Sequence, residues 1–195
     1  MNKEKIGIDI DEVIIPFMKF YLNFHNEKYN TLFDLTDVTN YYLWKCGIHN
    51  SKEEAVKAVK DFQDSIFFKE DEFIEGAKEG INFLSEKYQI FFITSRSLDF
   101  KEKTINFFSK YFPNNNFSFI FSGEIHEGKT KEEICEEIGV KFMIEDNLNY
   151  ALNCAKKGIK TFLIYYPWNK NCDNHNNLIK VQNWNEILEK LNLII

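Results

Sequence analysis

Two aspartates, Asp9 and Asp11, stand two residues apart where a short apolar run, Lys5-Ile6-Gly7-Ile8, gives out. Alternate residues of a strand face the same way, so this spacing aims both carboxylates at one place just beyond a strand end. Two carboxylates held that close repel unless a cation sits between them or one keeps a proton. An all-oxygen pair of this kind suits Mg²⁺ better than zinc. Further along stand two hydroxyls, Thr94 and Ser95, then Lys129 beside a helix start, then a second acidic pair, Glu145-Asp146. Together they supply a carboxylate nucleophile, a second carboxyl to move a proton, hydroxyl and cationic donors for phosphate oxygens, and further metal ligands. That inventory is the one phosphoryl transfer through an aspartyl-phosphate requires.

Bringing these residues together takes parallel strands whose C-terminal ends share one side. The pattern predicts five: the run ending at Asp9, then residues 89–94, 117–121, 141–144 and 160–164. Helical spacing predicts helices over 75–87 and 99–111, one opened by the capping box Thr130-Lys131-Glu132-Glu133, and one striped by Leu148, Ala151, Leu152 and Ala155. Trp184, Ile187, Leu188 and Leu191 stripe a terminal helix after an asparagine-rich loop. Such alternation gives an α/β fold, a doubly wound parallel five-stranded Rossmann-like sheet covered on both faces. Between the first two strands lies a mostly helical insert, with a helix from Phe17 and another opened by the capping box Ser51-Lys52-Glu53-Glu54. The expected division is a core of residues 1–15 and 73–195 and a small helical cap of residues 16–72.

The 195 residues suit one domain with an insert, and 44% hydrophobic content supplies a core. A net charge of −6 argues against bulk binding to nucleic acid or an anionic membrane, while leaving room for a basic pocket around one phosphate. No apolar run approaches the roughly 20 residues of a membrane helix, and nothing resembling a signal peptide precedes the first strand. The four cysteines, Cys46, Cys135, Cys154 and Cys172, form no CxxC pair. They read as reduced thiols of a cytoplasmic protein. The histidines, His25, His49, His126 and His175, show no metal-ligand spacing. A homodimer stays open as the assembly.

The four acidic, hydroxyl and basic motifs, in this order and each tied to a strand end, resemble the haloacid dehalogenase (HAD) superfamily of phosphohydrolases. Asp9-Ile10-Asp11 matches its first motif, Ile93-Thr94-Ser95 its second, Lys129 its third and Glu145-Asp146 its fourth. Ile8-Asp9-Ile10-Asp11-Glu12-Val13 and the tail Tyr166-Pro167-Trp168-Asn169 look most like the 5′(3′)-deoxyribonucleotidase-like group. The resemblance implies that Asp9 attacks phosphorus, while Asp11 protonates the leaving oxygen and then takes a proton from water. It implies Mg²⁺ on the Asp9 carboxylate, the Asp11 backbone carbonyl and Asp146, with Thr94, Ser95 and Lys129 on the phosphate. Glu145 stands where Asp or Gly is usual, which puts it one water away from the metal. The implied substrate is a small phosphorylated molecule, a nucleoside monophosphate. The insert's Phe17, Tyr21, Tyr41 and Trp44 are the candidates to stack on its base.

Blander readings exist for each residue. Thr94 and Ser95 could cap a helix, Lys131 rivals Lys129, and the insert's aromatics could be plain core. Another phosphate ester, such as a sugar phosphate, would fit the same chemistry, and so would a catalytically silent binding module. A receiver domain also gathers acidic, hydroxyl and lysine residues around Mg²⁺. Its phosphoacceptor aspartate follows the third strand, though, and none stands at the end of Phe117–Phe121 here.

Overall fold

The computed structural model describes residues 3–68, 71–121, 129–171 and 174–194; Cys172 and His126 lie outside them. At its centre is β1 (Lys5–Ile8), whose Ile6 and Ile8 are fully buried, as a strand covered on both faces must be. The others are β2 (Gln89–Thr94), β3 (Ser118–Phe121), β4 (Val140–Glu145), β5 (Lys160–Ile164) and β6 (Leu178–Val181). All pair in parallel, in the order β3-β2-β1-β4-β5-β6. Among the described residues the sheet therefore has six strands rather than the expected five. The sixth is a four-residue edge strand with only Val181 buried, so it leaves little apolar signal behind its asparagine-rich approach.

Alternation along the strands splits the core in two. On one face Ile6, Ile8, Phe92, Ile144 and Phe162 pack with α3 (Ala77–Lys87), α4 (Lys101–Tyr111) and α7 (Trp184–Ile194). On the other, Ile93 and Met143 pack with Ile134 and Cys135 of α5 (Lys131–Ile138) and Cys154 of α6 (Leu148–Lys156). Cys46, Cys135 and Cys154 are free thiols. Trp184 is fully buried, and its indole N–H donates to the Val13 carbonyl at 2.8 Å, tying α7 to the loop after β1. A Cβ on Gly80 would stand 2.3 Å from the Trp184 ring, so only glycine lets α3 approach it. Among the described residues no helix is long and apolar enough to cross a membrane.

The insert contributes α1 (Phe17–Tyr29) and α2 (Lys52–Gln63), joined by irregular chain. The Ser51 hydroxyl accepts the Glu54 N–H at 3.1 Å, as the capping box predicts. Phe17, Tyr21 and Phe24 crowd edge-on or tilted around Phe62. Insert and sheet side chains belong to one continuous apolar cluster. The chain rejoins the core where the Ile74 N–H donates to the Ile14 carbonyl at 2.8 Å.

Candidate active site

The strand order reverses direction between β1 and β4, and an open parallel sheet has its crevice beyond the strand ends at such a switch point. Asp9 follows β1 directly, with its N–H donating to the Ile144 carbonyl of β4 at 3.0 Å. Glu145 ends β4 and Asp146 follows it. All three are buried, and their carboxylate oxygens lie within 4.8 Å of one another. A single ammonium faces two of them: Lys131 Nζ is 3.0 Å from Asp9 Oδ1 and 3.1 Å from Glu145 Oε2.

The structure places the two candidate phosphate lysines differently. Lys129 is 42% exposed in its side chain and bonds Glu137 at 2.8 Å, on the outer surface. Lys131 is 2% exposed and enters the acidic cluster. Thr130 is the N-cap of α5, so Lys131 is the helix's first residue. Helical side chains lean toward the N-terminus, which turns a lysine there back to the strand ends. A position inside the helix thus favours the reach that sequence reasoning took it to prevent.

Charge in this cluster is unbalanced. Burial raises the Asp9 carboxyl, Lys131 opposes the rise, and Asp11 adds to it. Burial and then the Asp9 charge hold both Glu145 and Asp146 well above the usual carboxylate range. Burial works against the Lys131 ammonium, but Asp9 and Glu145 outweigh it and hold it well above the lysine range. Three desolvated carboxylates against one ammonium, all oxygen donors, fit a hard divalent cation. Glu145 spends one oxygen on Lys131, and the other accepts the Asn147 N–H at 3.3 Å. Its longer side chain accordingly reaches the lysine.

Asp11, whose charge acts on Asp9, keeps its side chain 27% exposed. The loop that carries it is tight: the Ile14 and Ile15 N–H groups both donate to the Ile10 carbonyl, and Glu12 adopts a left-handed φ of 58°. The Glu12 carboxylate accepts the Met18 N–H at the start of α1, and burial pushes that carboxyl up to about 8. Thr94 is 1% exposed at the end of β2, and its hydroxyl accepts the Arg96 N–H at 3.2 Å. Ser95 faces solvent.

Sequence reasoning missed three residues. Arg96 is buried and grips the Asp11 carboxylate through Nε and Nη2. Trp168 donates its indole N–H to Asp146 Oδ2 at 3.0 Å and stacks on Tyr166, ring centroids 4.4 Å apart. The Asn169 amide donates to the carbonyls of Asp146 and Ile164, both at 2.7 Å, tying the ends of β4 and β5 together. Their only sequence signal was position, immediately after a motif or within the Tyr-Pro-Trp-Asn tail.

The insert's candidates divide. Tyr21 is fully buried and shares a 2.5 Å hydrogen bond with His49, and Phe17 packs edge-on to Phe62 and Phe68, so both are packing residues. Trp44 is half-buried against Tyr42. Tyr41 keeps 41% of its surface exposed, yet its phenol is held well above the ordinary range. Burial is the first cause, and the charges of Asp146, Asp9 and Glu145 add to it against Lys131. The insert's tyrosine is thus electrostatically part of the acidic cluster.

Comparison with known proteins agrees with this geometry. Residues 3–194 match the family described as 5′ nucleotidase, deoxy (pyrimidine), cytosolic type C protein. The nucleotidase CA_C3379 of Clostridium acetobutylicum is 28% identical over 190 residues, covering 96% of this chain and 93% of that one. Among solved structures, the magnesium-bound YfnB of Bacillus subtilis superposes with a TM-score of 0.65 at 16% identity, covering 98% of this chain and 100% of that one. The haloacid dehalogenase-like hydrolase SP0104 of Streptococcus pneumoniae gives 0.64 at 14% identity, covering 97% and 98%. The chain belongs to the cytosolic type C 5′-nucleotidase family of the HAD-like hydrolases, enzymes that act on phosphoric monoesters.

Proposed function

We propose that this enzyme releases phosphate from (deoxy)nucleoside monophosphates, with Asp9 as nucleophile. The observation that carries the reading is the Asp9 carboxylate, buried at the switch point between Lys131 and the Glu145-Asp146 pair. One Asp9 oxygen attacks phosphorus, and the bond from phosphorus to the leaving oxygen breaks. Asp11 gives that oxygen a proton. Water then attacks the aspartyl-phosphate, Asp11 takes the water's proton, phosphate departs and the Asp9 carboxylate is restored. Lys131 and the Thr94 hydroxyl stabilise charge on the phosphoryl oxygens. The Asp9 and Asp146 carboxylates and the Asp11 backbone carbonyl would hold Mg²⁺, with Glu145 behind them. Bound there, the ion neutralises the carboxylates and the phosphate together. The insert, residues 16–72, serves as a cap, with Tyr41 and Trp44 as its substrate-facing residues.

The test is phosphate release from nucleoside monophosphates and from a sugar phosphate, with Mg²⁺ and after chelation. Nucleotides should be preferred, EDTA should suppress turnover and added Mg²⁺ restore it. Asp9→Asn should cost on the order of 10⁴-fold or more while the fold stays intact. Undiminished activity in that variant would overturn the mechanism, and preference for the sugar phosphate would overturn the substrate.

A further inference from the structure

The mechanism above leaves one buried charge without a task. Arg96 has a side chain only 3% exposed, yet it belongs to the loop after β2 rather than to the apolar core. One side of its guanidinium grips Asp11. Nε lies 3.0 Å from Oδ2 and 3.2 Å from Oδ1, and Nη2 lies 2.7 Å from Oδ1. On the other side Nη1 donates to the hydroxyl of Thr104, fully buried in α4, at 2.9 Å. The Phe68 ring, where the insert returns to the core, lies 5.7 Å away. The Arg96 backbone is fixed as well, through the Thr94 hydroxyl.

This is more than a neutralising charge. A two-pronged contact from a planar guanidinium fixes the direction of a carboxylate, which an ammonium does not. The Asp11 side chain has two free torsions and is 27% exposed, so without the grip it would turn through solvent. We infer that Arg96 is a positioning residue, which holds the Asp11 carboxyl by its inner edge so that the open edge meets the leaving oxygen of the ester. Thr104 and Phe68 brace Arg96 in turn. The inference rests on the hydrolysis proposed above, in which Asp11 moves the proton. It is confined to that step: Arg96 acts on the leaving group through Asp11, and not on the phosphoryl oxygens.

Leaving-group dependence isolates this role. The ratio kcat/KM covers binding and the steps up to departure of the leaving group, so it contains the proton donation and omits the later attack by water. A nucleoside monophosphate expels an alkoxide, which needs the proton. p-Nitrophenyl phosphate expels a stabilised phenolate, which does not. Arg96→Lys keeps the charge and loses the fork. It should lower kcat/KM for the nucleotide by about 10²-fold while p-nitrophenyl phosphate stays within about threefold. Thr104→Val, which leaves Asp11 and Arg96 in place, should shift the same ratio in the same direction by less. Equal losses on both esters would make Arg96 a phosphate-binding or structural residue, and no loss on either would make it idle. Each overturns the inference. If Arg96→Lys does not fold, the ratio in Thr104→Val decides. A wild-type enzyme inactive on both esters would overturn the phosphatase reading itself, which separates that failure from this one.

Discussion

Two lysines on either side of one threonine end in opposite places. Lys129 reaches outward to Glu137, while Lys131 turns in to Asp9 and Glu145. Removing Lys131 would leave two desolvated carboxylates facing each other, the arrangement in which breaking a buried pair costs about 3–5 kcal/mol. Lys131→Met should therefore lower the urea midpoint measured without metal by that order and lower kcat/KM by about 10²-fold or more. Lys129→Met should stay within about 0.5 kcal/mol and twofold. Equal effects from the two variants would mean that the cluster does not need its cation. The two acidic pairs were legible in the sequence because a strand's period of two and its apolar run fix both position and direction. Arg96 was not, and Lys131 was legible only as a rival of Lys129, because what matters for each is the reach of a long side chain across space. A helix's first turn and a loop after a strand give no periodic signal of that reach.

Among the elements, the insert is where packing and titration meet. His25 and His49 are both buried, with ring centroids 5.0 Å apart, between α1 and the loop before α2. Tyr21 bonds His49, Thr31 bonds His25 at 2.9 Å, Tyr29 stacks tilted on His25, and the Glu54 charge reaches His49. Burial lowers both histidines below the ordinary 6.5, and His49 lowers His25 further. A base lowered by folding binds fewer protons folded than unfolded. Its stability is complete above the unfolded value and lost as pH falls through it. Unfolding free energy should drop between pH 7.5 and 5.5 by more in the wild type than in His25→Gln/His49→Gln. The ceiling is about 1.4 kcal/mol per pH unit below 6.5 for each histidine that stays neutral. Parallel curves for the two proteins would show that the pair titrates freely. The capping boxes at Ser51 and Thr130 and most helix bounds could be read from local chemistry. The partnership of the two histidines could not, since 23 residues of irregular and helical chain separate them. The edge strand β6 was lost for the opposite reason, because three of its four residues are only partly buried or exposed.

At the scale of the whole molecule, the insert and the far arm of the sheet meet over the site: the turn at Leu35–Asp37 lies against the turn at Pro167–Asn169. Tyr41, whose phenol feels the charges of Asp146, Asp9 and Glu145, lies on the side of the carboxylates as well. A half-buried Trp44 stacking on a base should contribute about 1–3 kcal/mol. Trp44→Ala should thus reduce kcat/KM for nucleoside monophosphates by roughly 5- to 150-fold, leaving p-nitrophenyl phosphate nearly unchanged. An unaltered ratio between the two would remove Trp44 from substrate recognition. The fold class was legible from the alternation of apolar runs and helical stripes. The meeting of the two turns was not, because neither carries a periodic pattern. The central position of β1 also has a consequence for synthesis. Asp9 leaves the ribosome well before Lys131 and Asp146, which follow at about 5–20 residues per second. Until β2 and then β4 emerge, β1 is an apolar strand with both edges unpaired, the kind of segment that chaperones shield and that aggregates when they do not. The same order leaves Asp9 on the nascent chain for seconds before Lys131 and Asp146 exist to enclose it.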